Sequence, residues 1–170
     1  MAVELRLLRN PSEQTVTDLT EVVLGAPEYC QICEGRLPKA EDIPEMLSAL
    51  PPNCQIEQKY FFGVYVGEKM IGCADVIRGW PTLNQCHIGL LLLAEKYQGQ
   101  GYGKHTFTEL RSCFIEWPEI KKLRIAVVES NQKAFPFWHG MGFRETGVRI
   151  KSPTFVADLV ILELPFATNA

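Results

Sequence analysis

The residues best suited to chemistry stand together at Gln98-Gly99-Gln100-Gly101-Tyr102-Gly103-Lys104, between a long apolar run and an amphipathic stripe. Alternate glycines let a backbone turn through positive φ and approach a ligand closely. A helix that starts there presents unpaired N–H groups carrying a partial positive charge, so turn and helix together make an anion site, most naturally for phosphate. The same glycines also suit a tight strand-to-helix turn with no ligand. Two common phosphate loops do not fit the spacing. A P-loop needs Gly where Gln98 stands and Ser or Thr where His105 follows Lys104. The dinucleotide fingerprint Gly-x-Gly-x-x-Gly needs Gly at Lys104 if counted from Gly99, and at Thr106 if counted from Gly101.

The elements on either side must hold this turn in place. Gln85 to Leu93 reads as a central strand buried on both faces, although its four consecutive leucines also suit a buried helix. Beyond the turn, Phe107, Leu110, Phe114 and Trp117 form the stripe of a helix over Gly103 to Trp117 that ends at Pro118. Upstream, Val3 to Arg9 alternates apolar and charged residues as a half-buried strand does. Asn10, Pro11 and Glu13 then supply a cap, a first-turn proline and a capping acid for a helix that Gly25 and Pro27 stop. Glu28 to Lys39 reads as irregular, and Ala40 to Leu50 as a short helix. Tyr60 to Val66 and Lys69 to Arg78 flank Gly67-Glu68 as an antiparallel hairpin. Leu123 to Val128 is a strand, Asn131 to Met141 a helix, and Phe143 to Ile150 and Phe155 to Leu164 a final strand pair. The expected class is α/β, a mixed sheet with helices on its faces, in one domain over residues 1–170.

Composition narrows the function classes. With 170 residues, 46% of them hydrophobic and 22% charged, the chain suits one domain with a real core. Seventeen Lys and Arg against twenty Asp and Glu give a net charge of −3, so no global positive field exists to hold nucleic acid or an anionic membrane. The longest apolar run, Ile88 to Ala94, is far short of the roughly twenty residues of a membrane span. No export or lipidation signal is evident, so the expected compartment is the cytoplasm. Six cysteines are then expected as free thiols. Cys30 and Cys33 form a Cys-x-x-Cys pair, but no second ligand pair accompanies them, so a metal is not expected.

In the register Gln98-x-x-Gly101-x-Gly103 the glycine turn resembles the pyrophosphate loop Gln/Arg-x-x-Gly-x-Gly/Ala of the GNAT superfamily of acyl-coenzyme A dependent N-acetyltransferases. A second family element, Asn-x-x-Ala-x-x-Phe-Tyr-x-x-x-Gly-Phe, is matched by Asn131, Ala134, Phe137, Gly142 and Phe143, with Trp138 in place of the Tyr. The resemblance covers nearly the whole chain. It implies a mostly antiparallel sheet of about seven strands flanked by about four helices, with the strand Gln85 to Leu93 splayed from Leu123 to Val128 into a V-shaped cofactor slot. Acetyl-CoA is the implied cosubstrate. Backbone groups of Leu91 and Leu93 would bond its pantetheine arm, with Leu92 in the same cofactor-binding stretch, and Gln98 to Lys104 would cradle its pyrophosphate. Asn131, Ala134 and Phe137 would flank it, and Lys104 and Lys133 are candidate partners for its phosphates or else solvated lysines.

In the implied reaction an amine attacks the thioester directly within a ternary complex, so the site must align reactants and remove one proton. His87 falls where several family members carry a catalytic carboxylate, which makes it a candidate general base, or else a strand histidine bonded to a neighbour. Trp138 stands where the family's Tyr protonates the leaving thiolate, but an indole N–H does not titrate. The acceptor pocket is implied at Ala26 to Pro52 and Arg149 to Phe155. Glu28, Glu34, Glu41, Asp42 and Glu45 there form either a mouth for a cationic amine such as a polyamine, aminoglycoside or lysine, or a solvated acidic surface. Tyr29, Tyr60, Phe61 and Trp80 are candidates for an aromatic wall or for core. The resemblance also allows a homodimer. The rivals are a catalytically weak coenzyme A binding module and a nucleotide-binding domain unrelated to acetyl transfer.

Overall fold

A computed structural model describes residues 2–167. Strand β1 (Val3–Leu7) leads into helix α1 (Glu13–Leu24), and the junction differs from the sequence expectation. Ser12 is the N-cap, its hydroxyl accepting from the Thr15 N–H at 3.2 Å, while Asn10 takes a left-handed turn at φ +48°. Asn tolerates that conformation, so the turn out of β1 occupies Asn10 and Pro11 and moves the cap two residues on.

The segment expected to be irregular contains helix α2 (Pro27–Glu34). Pro27 starts it, Gly35 ends it at φ +69°, and the buried Cys30 and Cys33 give it an apolar side. Gly25 and Pro27 therefore separate two helices. A single 3₁₀ turn, Ala40–Asp42, precedes the short α3 (Ile43–Ser48). Strands β2 (Lys59–Val66) and β3 (Lys69–Arg78) form the expected hairpin, with Val66 opposite Lys69 and Gly67 at φ +58°. Then follow β4 (Gln85–Leu93), α4 (Tyr102–Ile115), β5 (Lys122–Val128), α5 (Ala134–Gly140), β6 (Arg144–Ile150) and β7 (Leu159–Pro165).

The seven strands form one sheet in the order β1-β2-β3-β4-β5-β7-β6, antiparallel except for β4 and β5. Side-chain alternation sorts the interior into two main cores. Helices α4 and α5 cover one face, packing Phe107, Leu110, Phe114 and Trp138 on Phe62, Ala74, Val76 and Ile88. The other face packs Phe61, Tyr65, Met70 and Cys73 against Leu19, Val22 and Val23 of α1 and Ile43 of α3. Among the described residues no helix is long and apolar enough to cross a membrane.

A bulge in β4 governs how the strand serves the two faces. Val76 pairs with Ile88 and Asp75 with Leu90, so Gly89 has no partner on β3. One extra residue reverses the alternation. Cys86 and Ile88 therefore share the α4 face with Leu91, whereas Leu90 and Leu92 meet the α1 face. Replacing Ser12 with Ala should lower unfolding stability by about 1 kcal/mol in chemical denaturation, through loss of the cap. The Asn10→Gly change should leave stability within about 0.5 kcal/mol, because the turn accepts Gly.

Candidate active site

β4 and β5 pair over four residues only, Gln85 to Ile88 against Lys122 to Ile125. Beyond that point β4 stays paired with β3 as far as Leu93, and β5 with β7 as far as Val128, while the two parallel strands separate. A cavity of about 450 Å³ opens between them. Backbone groups that a continuous sheet would have paired are left for a ligand or for water.

The glycine turn closes one end of this cavity. Gly99 at φ +70° and Gly101 at φ +85° are left-handed, and no atom lies within 4 Å of where a Cβ would stand on either. Helix α4 begins on Gly101 without a side-chain cap, so its first-turn N–H groups stay available. Gln98 donates from Nε2 to the Leu93 carbonyl at 2.8 Å, and Gln100 to the Lys96 carbonyl at 2.7 Å, so both glutamines brace the turn. A Cβ on Gly103 would lie 3.2 Å from the Phe137 ring, which shows how closely the starts of α4 and α5 approach.

The structure brings most of the residues expected at the site into this one cavity: Leu91, Leu92, Leu93, Gln98, Gly99, Gly101, Gly103, Lys104, Asn131, Lys133, Ala134, Phe137 and Trp138 all line it. Gln100 and Tyr102 do not, the Tyr102 ring packing 6.4 Å from that of Tyr97. Trp138 belongs to both wall and core, with its ring 4.9 Å from Phe137 and 5.2 Å from Phe143.

The wall opposite is α2, which contributes Glu28, Tyr29, Ile32 and Cys33. Pro27 and Gly35 bracketing an eight-residue stretch is the sequence signal that marks it. Burial pushes the Cys33 thiol up to about 11, which makes it a poor nucleophile at neutral pH. The helix is tied down at both ends. The Glu28 N–H donates to Glu95 Oε1 at 2.8 Å, Ser130 Oγ donates to the Ile32 carbonyl at 2.7 Å, and the Val156 N–H donates to the Cys33 carbonyl at 2.9 Å. Lys133 Nζ meets Glu28 Oε1 at 2.6 Å, an exposed bridge between α5 and α2.

Three of the five acids of this stretch are in ion pairs, and Glu41 and Glu45 are in none among the described residues. Arg36 pairs with Glu34 at 2.6 Å and Asp42 at 2.8 Å, and Lys133 takes Glu28. Among the aromatic candidates only Tyr29 lines the cavity. Tyr60 lies tilted 4.7 Å from Trp117 just past α4, Phe61 lies in the α1 core, and Trp80 packs edge-on at 5.0 Å over His87.

His87 does not line the cavity, and its geometry argues against the general-base expectation. Arg124 donates from Nη1 to His87 Nδ1 at 3.1 Å, while the same guanidinium sits 5.1 Å from the Trp80 ring centre. An arginine cannot accept, so Nδ1 is unprotonated and the neutral ring carries its hydrogen on Nε2. Burial, reinforced by the Arg124 charge, pushes the pKa down to about 3, although part of the ring surface still meets solvent.

A mixed seven-stranded sheet, split between its parallel strands and capped by a glycine turn, has the architecture of the GNAT acetyltransferases. A model of the acetyltransferase (GNAT) family matches residues 28–143, and the chain belongs to that family. Solved structures agree in fold. An acetyltransferase from Thermus thermophilus superposes with a TM-score of 0.77 at 23% identity, covering 98% of each chain. Aminoglycoside acetyltransferase AAC(6')-Ib, in complex with ribostamycin and coenzyme A, gives 0.75 at 21% identity over 97% of this chain and 94% of its own. The ribosomal-protein-S18-alanine N-acetyltransferase from Escherichia coli gives 0.65 at 17% identity over 99% of this chain and 96% of its own. No curated protein matches the chain in sequence.

The depressed histidine has a measurable consequence. An unfolded imidazole titrates near 6.5 and the folded one near 3, so between these values the unfolded chain binds the extra proton and stability falls as pH drops. Going from pH 7 to pH 5 should cost at most about 2 kcal/mol through this group. In His87→Gln that part of the loss should vanish, as read by denaturation at both pH values.

Proposed function

We propose that the protein transfers the acetyl group of acetyl-CoA to a primary amine by direct attack within a ternary complex. The observation that carries this reading is the separation of β4 from β5 after Ile88 and Ile125, with an uncapped helix on left-handed glycines at the end of the gap. An extended chain with amide groups, such as pantetheine, suits the edge of β4 along Leu91, Leu92 and Leu93 that β5 no longer pairs, where the Leu93 carbonyl already accepts from Gln98. A pyrophosphate suits the open concavity over Gly99 and Gly101, where the N–H groups of Tyr102, Gly103 and Lys104 start α4. In this reading Gln98 and Gln100 shape the turn, and Asn131, Ala134 and Phe137 form the opposite wall.

Acetyl-CoA supplies the activated acyl group. The chain contributes alignment of the thioester and a backbone donor in β4 for the oxygen on which charge develops. Trp138 gives the departing thiolate at most a hydrogen bond, which suits a leaving group that needs no strong acid. Lys133 is available to a phosphate once it releases Glu28, and that ion pair is exposed enough to exchange. Amine acceptors are in keeping with the fold, since one solved neighbour is a complex with ribostamycin and another is named for acetylating ribosomal protein S18.

A catalytically weak coenzyme A binding module is favoured by two different observations, the pairing of His87 with Arg124 and, elsewhere in the site, Trp138 at the family's Tyr position. Binding and turnover separate the two readings. At a hundredfold excess over its dissociation constant a ligand stabilises the native state by about 2.7 kcal/mol, or roughly 5–10 °C in Tm for a domain of this size. Acetyl-CoA and coenzyme A should give that shift, and ATP and NAD should not. Gly101→Val should lose it, because a β-branched residue resists positive φ and fills the concavity. An equal shift with ATP, or full affinity in the variant, would remove the coenzyme reading. Binding without amine-dependent thiol release would leave the module.

A further inference from the structure

We propose that Asp75, on β3 beside the bulge, is the carboxylate that receives the acceptor's ammonium group and takes its proton. The proposal rests on the acetyl-transfer reading above and assigns its acceptor side to a strand that the glycine turn does not touch.

Position comes first. Asp75 pairs with Leu90, next to the unpaired Gly89. Gly89 is exposed although it lies in the middle of a central strand, and it lines the cavity. The point where a Cβ on Gly89 would stand is 3.7 Å from Asp75 Oδ2 and 3.8 Å from His87 Cδ2. Asp75 itself does not line the cavity; Gly89 does, and it is the residue that stands between the carboxylate and the slot, where a side chain would add its bulk. The Asp75 side chain keeps 21% of its surface exposed, whereas Lys59 beside it keeps 2%.

Chemistry comes second. Lys59 Nζ donates to Asp75 Oδ2 at 2.7 Å and to the Ala49 carbonyl at 3.0 Å. Asp75 Oδ1 is buried with no hydrogen-bond partner, the one such side-chain atom among the described residues. A buried unsatisfied oxygen costs about 1–3 kcal/mol, so this carboxylate keeps unused acceptor capacity beyond Lys59 and the neighbouring Val76 N–H. The other titratable groups facing the carboxylate carry no charge at neutral pH. His87 is neutral, and burial pushes the Cys73 thiol up to about 12. Lys59 is thus its one charged neighbour. Burial raises the Asp75 pKa against the opposing pull of Lys59 and the Val76 N–H, which brings the carboxylate closer to a working base than an exposed aspartate.

The ammonium R–NH₃⁺ gives one proton to the Asp75 carboxylate, and the freed lone pair forms the C–N bond at the thioester carbonyl. The C–S bond breaks, its electron pair leaves on sulfur, and the second nitrogen proton passes to that thiolate. Asp75 then releases its proton to solvent. The acceptor class is a cationic primary amine, drawn by the half-buried Asp75 carboxylate beside the slot.

The test uses the full chain, its Asp75→Asn variant and the double variant Lys59→Gln/Asp75→Asn, which replaces the ion pair by a neutral pair if the single change unfolds. Each is measured for Tm, for the Tm shift with acetyl-CoA, and for thiol release with a diamine, an aminoglycoside and a lysine peptide across pH 6–10. Asp75→Asn should keep the acetyl-CoA shift and lose at least about 100-fold in kcat/KM. Its residual rate should climb with pH as free amine appears, and the double variant should stay inactive even with Tm restored. Turnover within threefold of the parent in either variant would overturn the assignment and leave the pair structural. A parent that binds acetyl-CoA but acetylates no amine of the panel would overturn it too, with the coenzyme reading intact. A parent without any acetyl-CoA shift would instead sink the coenzyme reading, and this proposal with it.

Discussion

The structure turns on an interruption of hydrogen bonding in the middle of its own sheet. β4 and β5 are the one parallel pair, and they hold together for four residues before diverging. Backbone amides and carbonyls are obligatory hydrogen-bonding groups, so a strand left half-paired in the interior is costly unless something else meets it. The outer pairings let the sheet bear that cost: β3 carries β4 and β7 carries β5 along the whole gap. The gap is then a rigid slot, built on strands and not on loops, and α2 and α5 form its sides.

The bulge at Gly89 makes the slot two-sided. It reverses the alternation of β4, so Ile88 and Leu91 both pack toward α4 while Leu90 and Leu92 pack toward α1. Both faces are closed by apolar side chains, which leaves the strand's backbone free for other contacts. The same glycine lines the slot and lies next to Asp75. Polar groups cluster at that end: Lys59 with Asp75, and Arg124 with His87 under Trp80. The glycine turn, by contrast, carries no charged side chain of its own except Lys104, and it works through backbone dipoles and open space.

Local rules suffice where a pattern has one physical meaning. Gly67-Glu68 between two β-rich runs specifies a hairpin, and the stripe Phe107, Leu110, Phe114, Trp117 specifies a helix, because each pattern repays only one backbone geometry. They fail where one residue can serve two neighbours. Pro27 ends one helix and begins the next, so the pattern alone leaves α2 irregular and the slot's second wall unseen. Asn10 and Ser12 are both good caps, and the choice falls to the turn out of β1, which needs the left-handed residue.

By itself the sequence determined the strands, most of the helices, their order and the glycine turn, because periodicity and positive φ are local properties of a chain; helix α2 is the element it left out. It also determined the family, through Gln98, Gly101 and Gly103 and the series from Asn131 to Phe143. Tertiary structure alone decided how the ionisable residues are placed and paired. His87 has the position of a base along β4, but the guanidinium of Arg124, 37 residues away in the chain, occupies Nδ1. Asp75 is one charge in a strand until folding sets it against Lys59 and beside the bulge. The reason is physical. A pKa and a hydrogen-bond partner depend on distances of a few ångströms across strands, and no local pattern encodes those before the sheet has formed.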